Sequence, residues 1–245
     1  MRVRYDFHLH SCLSPCGDDD MTPYNLVNMA KLLGYDMIAL TDHNSCRNTP
    51  AAVRAGRDAG IAVVPGMELC TAEEAHVVCL FPSCEDALAF QGEVEKRKNF
   101  VKNQPQIFGR QLVMDHLDQV LGEEEGLLIT AAEISVNDVL ALARRFRGTA
   151  FPAHVDKNAY SVIAALGAIP PEAGFRAAEI SPSGALHRLY QSNPELRGML
   201  LLRNSDAHYL ENMPEPSAWL DLPGPDPALA VAAIDGRLKA AGAWE

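Results

Sequence analysis

Two dyads of ligand-type side chains bracket the chain, His8-Leu9-His10 near its start and Asp206-Ala207-His208 near its end. Residues i and i+2 of an extended segment point to the same side, so each dyad aims two donors at one spot. Between them Thr41-Asp42-His43, Gly66-Met67-Glu68, His76 and Ala153-His154 each stand at or beside the end of an apolar run. One histidine beside a strand is usually a packed or surface residue. Most of the chain's eight histidines in such places form the pattern of a metal site. The donors are nitrogen and oxygen, which suits zinc, iron or manganese and disfavours a structural site of cysteine thiolates.

The elements that must position these residues alternate between strand-like and helix-like runs. A strand is expected over 3–8, then a helix capped by Thr22 with Pro23 at its first position and Gly34 past its end. A strand over 37–40 delivers His43, and Thr49-Pro50 repeats the cap-then-proline signal for a helix ending near Gly60. The strand over 61–64 leads to Glu68. His76 instead begins its strand, and the short link from Glu68 predicts an antiparallel hairpin that returns His76 to the face holding Glu68. Further strands are expected over 149–153, 177–180, 200–203 and 219–222, with helices over about 135–146, after Ser161, over 184–190 and over 227–241. This alternation implies βα units around a largely parallel sheet, a class that gathers active sites at the C-terminal ends of its strands. Residues 85–126 are the least regular and read as a helical excursion or insertion in a single domain spanning 1–245.

Composition sets outer limits. No apolar run approaches the ~18 residues that span a bilayer, and Met1-Arg2-Val3-Arg4 enters a strand directly, so a cytoplasmic protein without a membrane partner is expected. The net charge of −11 argues against an extended nucleic-acid surface, which would need a basic stripe. It leaves room for a small phosphorylated substrate or a short nucleotide end, since bound divalent cations would reverse the local sign, and between these it favours small substrates. The six cysteines form no Cys-x-x-Cys pair and read as reduced thiols, with Cys12 and Cys16 close enough to His10 in sequence to touch a metal.

Five segments, in order, resemble the motifs of the PHP (polymerase and histidinol phosphatase) family: Asp6-Phe7-His8-Leu9-His10-Ser11, Ala39-Leu40-Thr41-Asp42-His43, Pro65-Gly66-Met67-Glu68, Pro152-Ala153-His154 and Asn204-Ser205-Asp206-Ala207-His208. The resemblance implies a distorted (βα)7 TIM-like barrel with two or three divalent metal ions (zinc, iron or manganese). It implies one ion on His8, His10, Glu68 and Asp206, a second on an acidic-loop aspartate, His43 and His208, and a third on Glu68, His76 and His154. The loop Ser14-Pro15-Cys16-Gly17-Asp18-Asp19-Asp20 is longer than the family's turn; counting back from Pro23 favours Asp18, with Asp19 and Asp20 open. Asp6 reads as a structural group or one that orients an imidazole, Asp42 as pointing away from the ligands if its segment stays extended, and Glu179 as either supporting the site from below or buried and hydrogen-bonded.

The expected function is metal-dependent hydrolysis of a small phosphate monoester or nucleotide-type phosphoester by a metal-bridging hydroxide. Lys157, His187 and Arg203 are candidates for holding phosphate, with Arg188 and Arg110 behind them, and His187 is also a candidate proton donor to the leaving oxygen. Two other readings stand beside it: amidohydrolase-like cleavage of a non-phosphate bond, and a non-catalytic metal-stabilised module of a larger assembly.

Overall fold

The computed structural model describes residues 1–184 and 186–244, the side chains of Arg188 and Trp244 excepted. Eleven strands are assigned there: β1 (Arg2–Leu9), β2 (Met37–Leu40), β3 (Ala62–Cys70), β4 (His76–Leu80), β5 (Leu112–Met114), β6 (Val120–Glu123), β7 (Thr149–Pro152), β8 (Ala177–Ile180), β9 (Leu200–Arg203), β10 (Ala218–Asp221) and β11 (Gly242–Trp244). The α-helices are α1 (Pro23–Leu33), α2 (Thr49–Ala59), α3 (Cys84–Glu95), α4 (Pro105–Phe108), α5 (Val136–Arg144), α6 (Val162–Leu166), α7 (Leu186–Ser192) and α8 (Pro227–Ile234).

The main sheet runs β11-β10-β1-β2-β3-β4-β7, and β8 and β9 form a separate parallel pair. Parallel pairing holds from β1 through β3, whereas β4 is antiparallel to both β3 and β7, and β10 to β1. The sheet is thus a mixed α/β one, not a uniform ring of parallel βα units. It curls because the β8–β9 pair links its two flanks. Val155 N donates to Glu179 O (2.9 Å) past β7, while Asp206 N donates to His8 O (3.0 Å) and His10 N to Ala207 O (3.1 Å) beside β1.

Strand periodicity divides the core. Val3, Tyr5 and Phe7 of β1 join Met37 and Ala39 of β2 in a cluster that α8 covers with Ala230, Val231, Ala233 and Ile234. Ile38 and Leu40 face the other way, onto Leu26, Val27 and Ala30 of α1 and Ala52 and Ala55 of α2. Leu9 packs in that second cluster although Phe7, two residues earlier, packs in the first, and the β1–β2 register shifts between Asp6 and Leu9. A shift of this kind re-aims side chains, here next to His8 and His10.

Several local expectations change. Thr22 Oγ1 caps α1 by accepting from Asn25 N (3.1 Å), but α2 begins at Thr49 after Asn48, whose side chain makes no cap. That side chain is committed elsewhere: Asn48 Nδ2 donates to Ser11 Oγ and Leu112 O, and its Oδ1 accepts from Met114 N. The 85–126 excursion is helical only in α3 and α4, and it closes with the β5–β6 hairpin. The last helix stops at Ile234, well short of 241. Asp235 there accepts from Arg144 and Arg237, and Gly236 follows at φ 75°, from which the chain returns as β11. The helix over 184–190 is found as α7; its predicted start includes residue 185, outside the described residues.

Candidate metal centre

The expected β3–β4 hairpin is present, pairing Glu68 with Val78 and Cys70 with His76. It delivers His76 Nδ1 to 3.0 Å from Glu68 Oε1. Glu68 is buried at the centre of five imidazoles. His8 Nε2 lies at 3.1 Å, His10 Nε2 at 3.4 Å, His43 Nδ1 at 2.9 Å and His154 Nε2 at 3.3 Å from its carboxylate oxygens. Asp206 Oδ1 reaches His10 Nε2 at 3.3 Å and His8 Nε2 at 3.5 Å.

Among the described residues three groups of donors lie close enough to share an ion: His8, His10, Glu68 and Asp206; His10, His43 and His208; and His43, Glu68 and His76. The first is the set that the motifs imply. The second lacks Asp18, whose Oδ1 accepts from Asp20 N (2.9 Å) while its own N–H donates to His208 O (2.9 Å). The third has His43 where the motifs imply His154, although His154 still reaches Glu68. Cys12 and Cys16 belong to none of these groups.

The residues fit a metal. Among the described residues, His8 Nε2, His10 Nε2, His43 Nδ1 and Glu68 Oε2 are buried and, although these imidazoles lie 2.9–3.5 Å from carboxylate oxygens, none of the four atoms is aligned for a hydrogen bond. Buried polar atoms left this way are costly unless something else occupies them, and a cation between them would satisfy all four. Electrostatics agree. Burial pushes the carboxyls of Glu68 and Asp206 up, but the surrounding imidazoles outweigh it and hold both well below the usual range. Burial drives His43 down to about 4 and His208 to about 3, leaving both neutral and ready to ligate. His8 and His76 go the other way: burial lowers them, yet Glu179 and Glu68 around His8, and Glu68 beside His76, raise both. The carboxylates therefore demand positive charge, which protons or metal ions can supply.

A second layer fixes these rings. Glu179 of β8, fully buried, accepts from His8 Nδ1 (2.9 Å), His154 N (3.0 Å) and Asn204 Nδ2 (2.8 Å). Ser14 Oγ lies 2.9 Å from His10 Nδ1, accepts from His43 N (3.2 Å) and donates to Asp42 Oδ1 (2.8 Å). Asp42 also accepts from Ser11 N and Oγ. Asp6 accepts from the backbone nitrogens of His8 and Ser205, tying the first motif to the last instead of orienting a ring. Carboxylates and hydroxyls behind metal-ligating histidines hold their tautomer and direction. Ser14 carries no local signal of this position, and sequence reasoning missed it.

The donors open into a cavity of about 480 Å³ lined by His43, Glu68, His76, His154, Asp206 and His208 on one side, with Cys16, Ile129, Asn158, Ala159 and Tyr160 around the mouth. Lys157 also lines it and donates to Asp206 Oδ2 (2.6 Å). His187 is exposed on α7 and not among the lining residues; Arg203 ends β9, and Arg110 pairs with Glu123 on the hairpin. Among the described residues no helix is long and apolar enough to cross a membrane.

A family model described as PHP domain matches residues 6–158. The 5'-3' exoribonuclease Rnm of Salmonella typhimurium is 35% identical over 101 residues, covering 37% of this chain and 33% of that protein. A 5'-3' exoribonuclease of Haemophilus influenzae is 34% identical over 83 residues, 33% of this chain and 29% of that protein. The chain thus spans about a third of the length of these relatives. The lesion-specific endonuclease PfuEndoQ of Pyrococcus furiosus superposes with a TM-score of 0.68 at 16% identity, over 98% of this chain and 57% of that one. An Endonuclease Q complex with a 27-mer duplex superposes with a TM-score of 0.66 at 16% identity, over 98% and 58%. These findings correct the expected partners, a small phosphorylated molecule or short nucleotide end with no extended nucleic-acid surface. Two relatives in sequence are exoribonucleases, and a solved chain of this fold holds a 27-mer duplex substrate. Net charge sums the whole surface and is silent on the sign at a site where cations dominate.

Proposed function

The chain belongs to the PHP domain family, and on that premise we propose that it is a metal-dependent phosphoesterase cleaving phosphodiester bonds of nucleic acid. It is a hydrolase of phosphoester bonds. The observation that carries this reading is the convergence of His8, His10, His43, His76 and His154 on Glu68, with buried donor atoms unpartnered, at the floor of an open cavity. The relatives named as nucleases supply the substrate class.

In this reading His8, His10, Glu68 and Asp206 would hold one divalent ion, His43 and His208 with Asp18 a second, and Glu68, His76 and His154 a third. Such ions, when bound, neutralise phosphate oxygens and bring the pKa of water toward ~7. The remaining work falls to the chain. Glu179 and Ser14 hold the rings of His8 and His10 in position. Lys157 exchanges its bond with Asp206 for a non-bridging phosphate oxygen, a charge-assisted contact of the kind that orients phosphate. Residues 1–245 act as one distorted (βα)7-type barrel domain, with 85–126 as its excursion.

The test is hydrolysis of end-labelled single-stranded RNA, single-stranded DNA and duplex DNA by protein loaded with zinc, manganese or iron, alongside elemental analysis. Cleavage that chelation abolishes and metal restores, and that Asp206→Asn removes, is expected. Protein carrying two or more metals that cuts none of these strands would overturn the proposal.

A further inference from the structure

We propose that Tyr160 is a nucleobase-stacking platform at the mouth of the metal cavity, selecting unstacked, single-stranded nucleotides. This deepens the nuclease reading and rests on it. Tyr160 lies in the loop from β7 to α6, among the residues lining the cavity. One face of its ring is stacked on His76, with centroids 5.0 Å apart and 20° between planes. The residue is nonetheless 58% exposed, so the ring also presents surface to solvent at the cavity mouth.

The backbone holds it there against its own preference. Tyr160 has φ 54°, a left-handed conformation that a bulky L-residue adopts rarely and at a cost. Its carbonyl accepts from His76 N (2.8 Å), and Ser161 Oγ, one residue on, donates to Lys157 O (2.7 Å). Lys157 N in turn donates to His154 O (2.9 Å). A loop anchored at a ligand on each side presents a large aromatic ring without the entropy cost of ordering it during binding.

Core packing does not account for this placement, since most of the ring's residue surface remains in water. A base has a π-face, and stacking on an aromatic side chain tolerates any base. Ile129 and Ala159 complete an apolar rim, and Asn158 offers polar atoms for a base edge. The cavity volume falls within the range of sites for small molecules, enough for one nucleotide unit and not a paired duplex. Lys157, three residues before Tyr160, would meet the phosphate while the ring meets the base.

The experiment measures binding, not turnover. Metal-loaded protein is titrated against two fluorescein-labelled phosphorothioate strands of equal length and charge, one carrying bases and one abasic, and anisotropy gives each Kd. Wild type is expected to prefer the base-bearing strand by about tenfold. Tyr160→Leu, which still covers His76 but offers no π-face, should erase that preference with metal content retained, and Tyr160→Phe should restore it. Equal binding of both strands by wild type, or a preference that survives in Tyr160→Leu, overturns the platform and leaves the nuclease reading standing. Wild type that binds neither strand overturns both.

Discussion

Replacing Glu179 by glutamine tests whether the layer behind the ligands controls the metal. The carboxylate accepts from three buried donors, His8 Nδ1, His154 N and Asn204 Nδ2, using both oxygens. An amide of the same shape keeps one acceptor and puts an NH2 where the other oxygen stood. At least one donor then faces a donor, at about 1–3 kcal/mol for a buried group left unsatisfied. His8 bears the consequence, because its Nδ1 bond to Glu179 aims its Nε2 at Glu68 and Asp206. Loss of such an orienting partner weakens metal affinity about 10–100-fold, equivalent to about 1.4–2.7 kcal/mol. Because metal stabilises the folded state by mass action, the variant should lose the same amount of metal-dependent stability at fixed metal concentration. For a chain of this size that is about 3–11 °C of the metal-induced rise in Tm. Competition with a chromophoric chelator gives the affinity, and melts of stripped and loaded protein give the stability. A folded Glu179→Gln protein whose metal affinity stays within twofold of wild type would refute the reasoning.

Two further substitutions probe the scaffold. Gly66→Ala would place a Cβ 2.8 Å from Leu80 Cδ2 and Thr41 Cγ2 and 2.9 Å from Cys79 O, so overpacking should cost about 1–3 kcal/mol in chemical denaturation; an unchanged midpoint would show that β3 yields easily. Lys98 is pushed down from 10.5 to about 8 by burial, against opposing carboxylates, and donates to Leu127 O and Leu128 O. Between about pH 8 and 10.5 the unfolded chain holds that proton while the folded one releases it, so this group makes stability rise with pH. The stability of wild type relative to Lys98→Met should therefore climb across that window, and parallel stability–pH curves would exclude the linkage.

How much of the site was legible follows from the range of each interaction. The ends of β2, β8 and β9 are set by apolar runs, and those of α1 by Thr22-Pro23 at its start and Gly34 past its end, all local signals. The β3–β4 hairpin was legible from the short link alone. Asn48 was not, because its side chain serves Ser11, Leu112 and Met114, the last two more than sixty residues away, and so leaves the cap. Nor was the end of α8, where Arg144 reaches across 91 residues to Asp235.

By itself the sequence determined the donor set: which histidines and acids stand at strand ends, their chemical type, and the order that marks the family. Those are properties of residue identity and of the two-residue period of a strand. Only the tertiary structure decided that Glu68 lies amid five imidazoles, that Glu179 steers His8 from 171 residues away, and that Tyr160 overlies His76. These arrangements depend on how the sheet curls and how the core packs around it. Burial then sets what the charges do, lowering His43 and His208 while the carboxylates raise His8 and His76, so one residue type takes opposite characters within one cluster.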